Sequence, residues 1–388
     1  MAVTEYFRII KERSRRPAFN SLFLFVTSRC NSLCRTCFYF DKLNRAGDLT
    51  LDQIRRISET APPFRKLWFS GGEPTLREEL GEIAGLFAAN NGVRNVNLPT
   101  NGILEEKVFR AVDAMLERTG EDVAVDLNFS LDGLANTHDA IRGVPNNFER
   151  TVATMQAAEK RYAAVKRLRV NVVSVVTREN YGELMRLGFW IARNVNADGH
   201  YFEIVRGEMP DGTLKSMTRG DVASLHRRLM PLHRMYARKL FAHLPPGARQ
   251  LAAIYYLGNL RLHYELHERC FGAPEAWPMR CTAGETTLVV DHNGRFRACE
   301  LRDPVGGLAD YGYDAAKALA SEPMKREIEA IGRDGCWCTH SCFIHESSKF
   351  SPRVQLFEIP WAWWKQRMEG GGEASAEEME QFRSLNLA

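Results

Sequence analysis

The chain has 388 residues, 45% of them hydrophobic and 26% charged, with a formal net charge of only +4. That length supports a large core and two or three domains, and the composition is that of a folded globular protein. Its 52 Lys and Arg are scattered among 48 Asp and Glu, without the basic stripe and interleaved aromatics of a nucleic-acid binder, and no apolar run is long enough to cross a bilayer.

Segment 1–20 is basic but lacks the apolar stretch and cleavage site of a secretory signal, so a cytoplasmic protein is expected. From residue 21, short β-like runs alternate with helical patterns. The strand candidates are 21–27, 66–70, 96–98, 123–130, 169–177 and 201–205, each bounded by Gly, Pro, Asn or Asp. Helical stretches fall near 50–60, with Thr50 as N-cap, and near 77–91, 103–118, 147–165 and 180–195. Such alternation builds a parallel sheet with helices outside. Six units predict an α/β fold, a partial (β/α)6 TIM-like barrel over 21–206. Polar residues share one parity in three strands: Asn95, Asn97 and Asn101; Asp126, Asn128 and Ser130; and Asn171. This face is either a wet strand edge or a lumen lined for a polar cofactor.

After 207 the pattern changes. Residues 217–268 read as two long helices broken by LPPG at 244–247, a connector spanning 207–269. A Gly-rich region, 270–348, carries six cysteines, and the tail 349–388 holds tryptophans at 361, 363 and 364 and a low-complexity stretch from 370. The apolar runs of the connector and the Trp-rich tail are read as core, or else as cover for a hydrophobic substrate or a peripheral membrane contact.

In a reducing compartment, nine clustered cysteines signal metal or redox chemistry rather than disulfides. Cys30, Cys34 and Cys37 directly follow the first strand, at the sheet's C-terminal mouth, where α/β folds place their active sites. Three thiolates at this spacing can wrap a [4Fe–4S] cluster and leave one iron open to a small molecule. Zinc, the alternative, takes four closed ligands, and the sequence offers no fourth nearby.

A CxxxCxxC loop followed by the aromatic Phe38 resembles the radical SAM superfamily. Gly71-Gly72-Glu73-Pro74, ending the second strand, is similar to the family's GGE motif, which implies that Glu73 and the neighbouring main chain hold the amino group of S-adenosylmethionine (SAM). Glycines there let backbone approach a ligand. Thr100-Asn101-Gly102 and Ser130-Leu131-Asp132-Gly133 resemble the ends of the third and fourth strands. The resemblance implies Ser130 and Asp132 near the SAM ribose and carboxylate, and Asn101 and Asn171 touching SAM or substrate. His138-Asp139-x-Ile141-Arg142-Gly143 is also familiar in this branch, with Arg142 a fork for the SAM carboxylate.

Cys281, Gly294 and Cys299 resemble the opening of SPASM and twitch domains, and an Asn-Gly turn at 293–294 predicts a hairpin presenting both thiols. The shortened set Cys336, Cys338 and Cys342 implies one auxiliary iron–sulfur cluster in a twitch/SPASM-like domain. Cys281, Cys299 and Cys342 with one or both of Cys336 and Cys338 are its expected ligands. Cys270, His340 and His345 are substitutes, and a zinc knuckle is the alternative.

The resemblance implies a hydrogen-abstracting enzyme with an electron donor of flavodoxin or ferredoxin type and a peptide or small-metabolite substrate. Because about twenty residues precede the first strand, a peptide is expected to need a separate partner or the C-terminal region for its recognition. Glu203 and Arg206, on the sixth strand, are open candidates for substrate contacts. A non-catalytic electron-transfer or zinc-binding protein is the alternative from another class.

Overall fold

A computed structural model describes residues 17–271 and 276–368, together with Glu380. Most of segment 1–20 and nearly all of the low-complexity tail lie outside the described residues. Six strands run parallel in simple chain order: β1 (Ser21–Thr27), β2 (Lys66–Gly71), β3 (Asn95–Thr100), β4 (Ala124–Ser130), β5 (Leu168–Val176) and β6 (Gly199–Ile204). All lie within two residues of the expected bounds. Between them come α1 (Leu51–Thr60), α2 (Leu80–Asn91), α3 (Glu105–Arg118), α4 (Ala135–Arg142), α5 (Asn147–Arg161) and α6 (Leu184–Asn194). Thr50 caps α1 as expected, accepting from the Gln53 amide at 3.3 Å while the Gln53 side chain accepts from the Thr50 amide at 2.9 Å. The short helix α4 was not expected, since eight residues show little periodicity. It ends at Gly143, whose φ of 66° suits a glycine.

One parity of the strands is largely apolar and buried beneath the helices, as in Leu67, Val96, Leu98, Val125 and Leu127, with Thr100, Ser174 and His200 as buried polar exceptions. The opposite parity carries the polar residues, and they form a ladder across three strands. Asn97 donates to Asn95 at 2.7 Å, Asn128 to Asn97 at 3.3 Å, and Asn171 to Asn128 at 3.2 Å. Below it Asp126 accepts from Asn95 at 2.7 Å and from both forks of Arg169 at 2.6 and 2.9 Å. Since β3, β4 and β5 are interior strands, this is a polar inner face and not a wet edge.

The cysteine-rich region continues the same sheet. β7 (Thr287–Val290) pairs parallel with β1, and β8 (Arg295–Arg297) and β9 (Gly306–Gly307) follow antiparallel, giving nine strands in the order β6-β5-β4-β3-β2-β1-β7-β8-β9. The expected Asn-Gly turn joins β7 to β8, with Gly294 at φ 80°. Two further short helices, α9 (Ala315–Leu319) and α10 (Glu322–Arg333), lead to α11 (Ser341–Lys349). α11 covers the inner face at β1 and β2. Phe343 stacks on Phe23 at 5.4 Å, Phe23 stacks on Trp68 at 5.3 Å, and Glu346 accepts from Asn20 at 2.7 Å and pairs with Lys66 at 3.2 Å. The inner face is thus aromatic where α11 covers it and polar where it does not.

The two expected connector helices are α7 (Arg219–Leu240) and α8 (Pro246–Arg269), and α12 (Ile359–Met368) packs along α8. No described helix is long and apolar enough to cross a membrane. Phe343, only 1% exposed, joins α11 to β1 within the sheet's hollow. Phe343→Ala is expected to cost about 3–5 kcal/mol, read as a lowered urea midpoint.

Candidate active site

The loop after β1 is held from both sides. The Leu33 and Arg35 amides donate to the carbonyls of Arg142 and Ile141 at 3.2 and 2.9 Å, so the end of α4 grips the loop's outer flank. Gly143 is needed there, because a Cβ would lie 2.6 Å from the Leu33 carbonyl oxygen. On the inner side Asn101 Nδ2 donates to Asn31 at 2.7 Å and to Ser32 at 3.2 Å, and the Cys30 amide donates to Asn44 at 2.9 Å. Cys30, Cys34 and Cys37 are free and half-buried. Burial pushes the Cys30 thiol up to about 12 and the Cys37 thiol up to about 11, with the Ser32 and Tyr39 amides and, for Cys37, the Arg142 charge pulling the other way. Arg142 Nη1 approaches Cys34 Sγ at 3.8 Å. A soft, three-thiol donor set on one loop fits an iron–sulfur cluster. Among the described residues, no three His, Cys, Asp or Glu side chains gather as ligands of a single metal ion.

The Gly71-Gly72-Glu73 turn docks on the backbone that launches the cysteine loop. Gly72 and Glu73 amides donate to the Thr27 and Arg29 carbonyls at 2.9 and 2.8 Å. A Cβ at Gly71 would sit 2.2 Å from the Thr27 oxygen, and one at Gly72 2.1 Å from that of Arg29. The glycines therefore permit two protein segments to touch, a role the sequence did not suggest. Glu73 is 3% exposed. Its Oε1 accepts from the Thr75 amide at 3.2 Å and from the Thr75 and Thr100 hydroxyls at 2.7 and 2.9 Å, while Oε2 accepts from the Asn101 amide at 2.7 Å. Burial raises its pKa and these donors oppose the rise. One carboxylate so ties the ends of β2 and β3 together.

Asp132 and Arg142, each expected to contact SAM, are paired with each other. Arg142 Nε lies 2.7 Å from Asp132 Oδ2, and Asp132 Oδ1 accepts from the Val175 amide at 2.7 Å. Asp132 is fully buried. The neutral His138 ring, held down to about 4 by burial and then by Arg142, accepts from the Asp132 amide at 3.0 Å. Asp139 accepts from the Asn146 and Phe148 amides at 2.7 and 2.8 Å, at the start of α5. The familiar 138–143 motif thus locks α4 against the thiol loop. Asn171 lies in the polar ladder on β5; Ser130 is half-buried at the end of β4. Phe38 packs edge-on to Phe25 at 6.5 Å and takes the Arg206 guanidinium over its ring at 5.7 Å.

Arg206 reaches from the first thiol group toward the second. It pairs with Glu203 at 3.4 Å and Glu300 at 3.8 Å, and its charge acts on Cys338 and Cys342. Cys281 and Cys336 are neighbouring thiols, with Arg302 beside Cys336; Cys281 and then Arg302 bring Cys336 down to about 6 against burial. Cys299 lies within electrostatic reach of Cys338 and Cys336, and Cys270 of Cys338. Cys342 sits among Glu203, Arg206 and Glu300. His340 is fully buried against Glu300, whose carboxyl burial pushes up but His340 and Arg206 hold below its usual value. His345 lies on α11 beside His263, ring centroids 6.0 Å apart. Glu300 and Arg302 were missed from sequence, because single charged residues carry no spacing signal; His138 was named within its motif but given no role.

Asp132→Asn leaves the Arg142 charge uncompensated, so a loss of about 3–5 kcal/mol is expected, seen as a lower unfolding midpoint together with reduced iron uptake. In metal-free protein at pH 7, iodoacetamide is expected to label Cys336 ahead of Cys30 and Cys37. Cys336 becomes thiolate as pH rises through about 6, whereas the other two, at about 12 and about 11, remain thiols. Mass spectrometry of the peptides reads this order.

Comparison with known proteins agrees with this geometry. Residues 24–190 match the model of the radical SAM superfamily. The chain is 28% identical over 165 residues to the pre-heme d1 synthase of Dinoroseobacter shibae, covering 42% of this chain and 38% of that protein. It is 30% identical over 185 residues to the GTP 3′,8-cyclase of Tolumonas auensis, covering 46% and 51%. The chain thus spans about half the length, or less, of these curated relatives. Among solved structures, anSMEcpe with bound AdoMet and Cp18Cys peptide is 16% identical, with a TM-score of 0.53 over 94% of this chain and 98% of that one. Streptococcus suis SuiB bound to precursor peptide SuiA is 13% identical, with a TM-score of 0.54 over 84% and 70%. These two share the fold. The family match is centred on the strands and loops just described: residues 24–190 are similar to the radical SAM superfamily.

Proposed function

We propose that Cys30, Cys34 and Cys37 hold a [4Fe–4S] cluster with SAM at its open iron, and that the chain is a hydrogen-abstracting enzyme acting on a peptide or a small metabolite. When bound and reduced, this pair supplies a 5′-deoxyadenosyl radical, with methionine released. The observation that carries the reading is that three unbridged thiols share one loop at the mouth of the parallel sheet, Cys30 within electrostatic reach of Cys34 and Cys37, with the Gly71-Gly72-Glu73 turn docked on the backbone that launches that loop. The chain's own part is placement. Asn101 and Asn44 fix the loop, Arg142 offsets thiolate charge at Cys34, and Glu73, whose charge reaches Cys30 and whose Oε2 accepts from the Asn101 amide alone among the described residues, would take an ammonium group as a further donor.

The substrate would lie on the inner face, where Trp68, Asn128, Val173 and Glu203 remain half-buried and Tyr201 is exposed. The names of the relatives point two ways: the curated ones to a nucleotide and a haem precursor, the solved ones to peptides. Cys281, Cys299, Cys336 and Cys338, with Cys342 and Cys270 close by, would hold one auxiliary cluster, lined by Arg206 and Arg302. A donor of flavodoxin or ferredoxin type would reduce the first cluster.

Protein reconstituted anaerobically with iron and sulfide is expected to convert SAM to 5′-deoxyadenosine when reduced by dithionite. Replacing Cys30, Cys34 or Cys37 by Ala should abolish this, while Cys281→Ala should lower iron and sulfide content without abolishing it. Zinc in place of iron, or iron without SAM cleavage, would overturn the proposal in favour of a zinc-binding or electron-transfer protein.

A further inference from the structure

α12 presents an apolar stripe to solvent that the site does not use. Phe357, Trp361, Trp364 and Met368 are spaced 4, 3 and 4 residues apart, the period of one helical face. They are 68%, 53%, 45% and 67% exposed. The stripe begins in a π-helical turn, Val354–Glu358, that runs straight into α12. Trp361 and Trp364 stack on each other at 4.7 Å, so their rings form one flat projecting surface.

The other side of the helix is fixed. Ile359 and Ala362 are buried, Lys365 pairs with Glu265 at 2.7 Å, and Tyr255 donates to Gln355 at 2.9 Å. At Gly258 the two helices touch so closely that a Cβ would lie 2.6 Å from the Ile359 carbonyl oxygen. The first half of α8 extends the apolar surface: Leu251 is exposed, and Ala252 to Leu257 are all half-buried. Isolated exposed apolar residues are ordinary, but a contiguous aromatic stripe on a rigid helix marks an interaction surface.

Charge decides what covers it. The helices α7 and α8 with their joining turn (219–269), together with 351–368, hold twelve Lys and Arg against four Asp and Glu, a net +8, whereas the whole chain carries only +4. The aromatic stripe therefore stands on a strongly cationic part of the chain. Trp, Phe and Met flanked by Lys and Arg suit the headgroup region of an anionic bilayer, where aromatic rings lie at the apolar boundary and basic side chains meet lipid phosphates. We propose that the α8–α12 face docks the protein on an anionic lipid surface, with the stripe from Phe357 to Met368 entering the interface.

Full-length protein is sedimented with vesicles of phosphatidylcholine, and with the same vesicles carrying phosphatidylglycerol. Retention on the anionic vesicles is expected to be at least about tenfold greater and to fall with added salt, with a blue shift of tryptophan emission. The double variant W361E/W364E should lose about tenfold in retention while keeping its circular dichroism, iron content and 5′-deoxyadenosine formation. Should that variant misfold, F357E/M368E, at the two most exposed positions, tests the same face. Equal or no retention on both vesicles overturns the proposal, as does a variant that binds like the parent. A concentration-dependent dimer, measured by light scattering and lost in the variant, overturns it in favour of a second copy of this chain. The readout is independent of SAM cleavage, so either proposal can fail alone.

Discussion

Two backbone hydrogen bonds govern the mouth of this sheet: the amides of Gly72 and Glu73 on the carbonyls of Thr27 and Arg29. They bring the end of β2 against the residues that launch the thiol loop, at a separation no Cβ would tolerate. Once the chains are this close, Glu73 is driven into the interior and must find donors, because a buried carboxylate without them is costly. It finds them on Thr75, Thr100 and Asn101. Asn101 is then oriented toward Asn31 and Ser32 within the loop itself. The order of the first three strand ends and the position of Cys30 follow from one close contact.

The opposite flank is built on a charge instead. Arg142 is buried, and Asp132 at 2.7 Å provides the compensation that allows it to remain so. The guanidinium thereby stands beside Cys34 without attracting solvent. His138, neutral because it is desolvated, can accept from the Asp132 amide only in that state. Two residues expected to meet SAM are thus paired within the protein, and they hold the thiol loop.

The cysteine-rich region is not appended at a distance. β7 pairs with β1, and α11 enters the hollow of the sheet, so the second thiol group is fixed relative to the first by hydrogen bonds and stacked rings. Arg206 occupies the ground between them, over Phe38 on one side and near Cys338 and Cys342 on the other. Glu203 and Glu300 make its burial tolerable. The hollow consequently has an aromatic, covered half and a polar half that α11 leaves uncovered.

Much of this was legible in the chain. Alternation of strand and helix, the parity of Asn97, Asn128 and Asn171, the capping box at Thr50 and the thiol spacing are local properties, carried by residues a few positions apart. They determined the six-stranded architecture, the polar inner face and the loop that bears the chemistry. What the tertiary structure alone decided involves partners far apart in sequence: Asp132 with Arg142, Glu73 with Asn101, Cys281 with Cys336, α11 against β1. In each, burial demanded a partner and the fold chose which one, a choice that periodicity and spacing do not encode. The sequence named the groups that could meet a cofactor, and packing determined which of them were already occupied by each other.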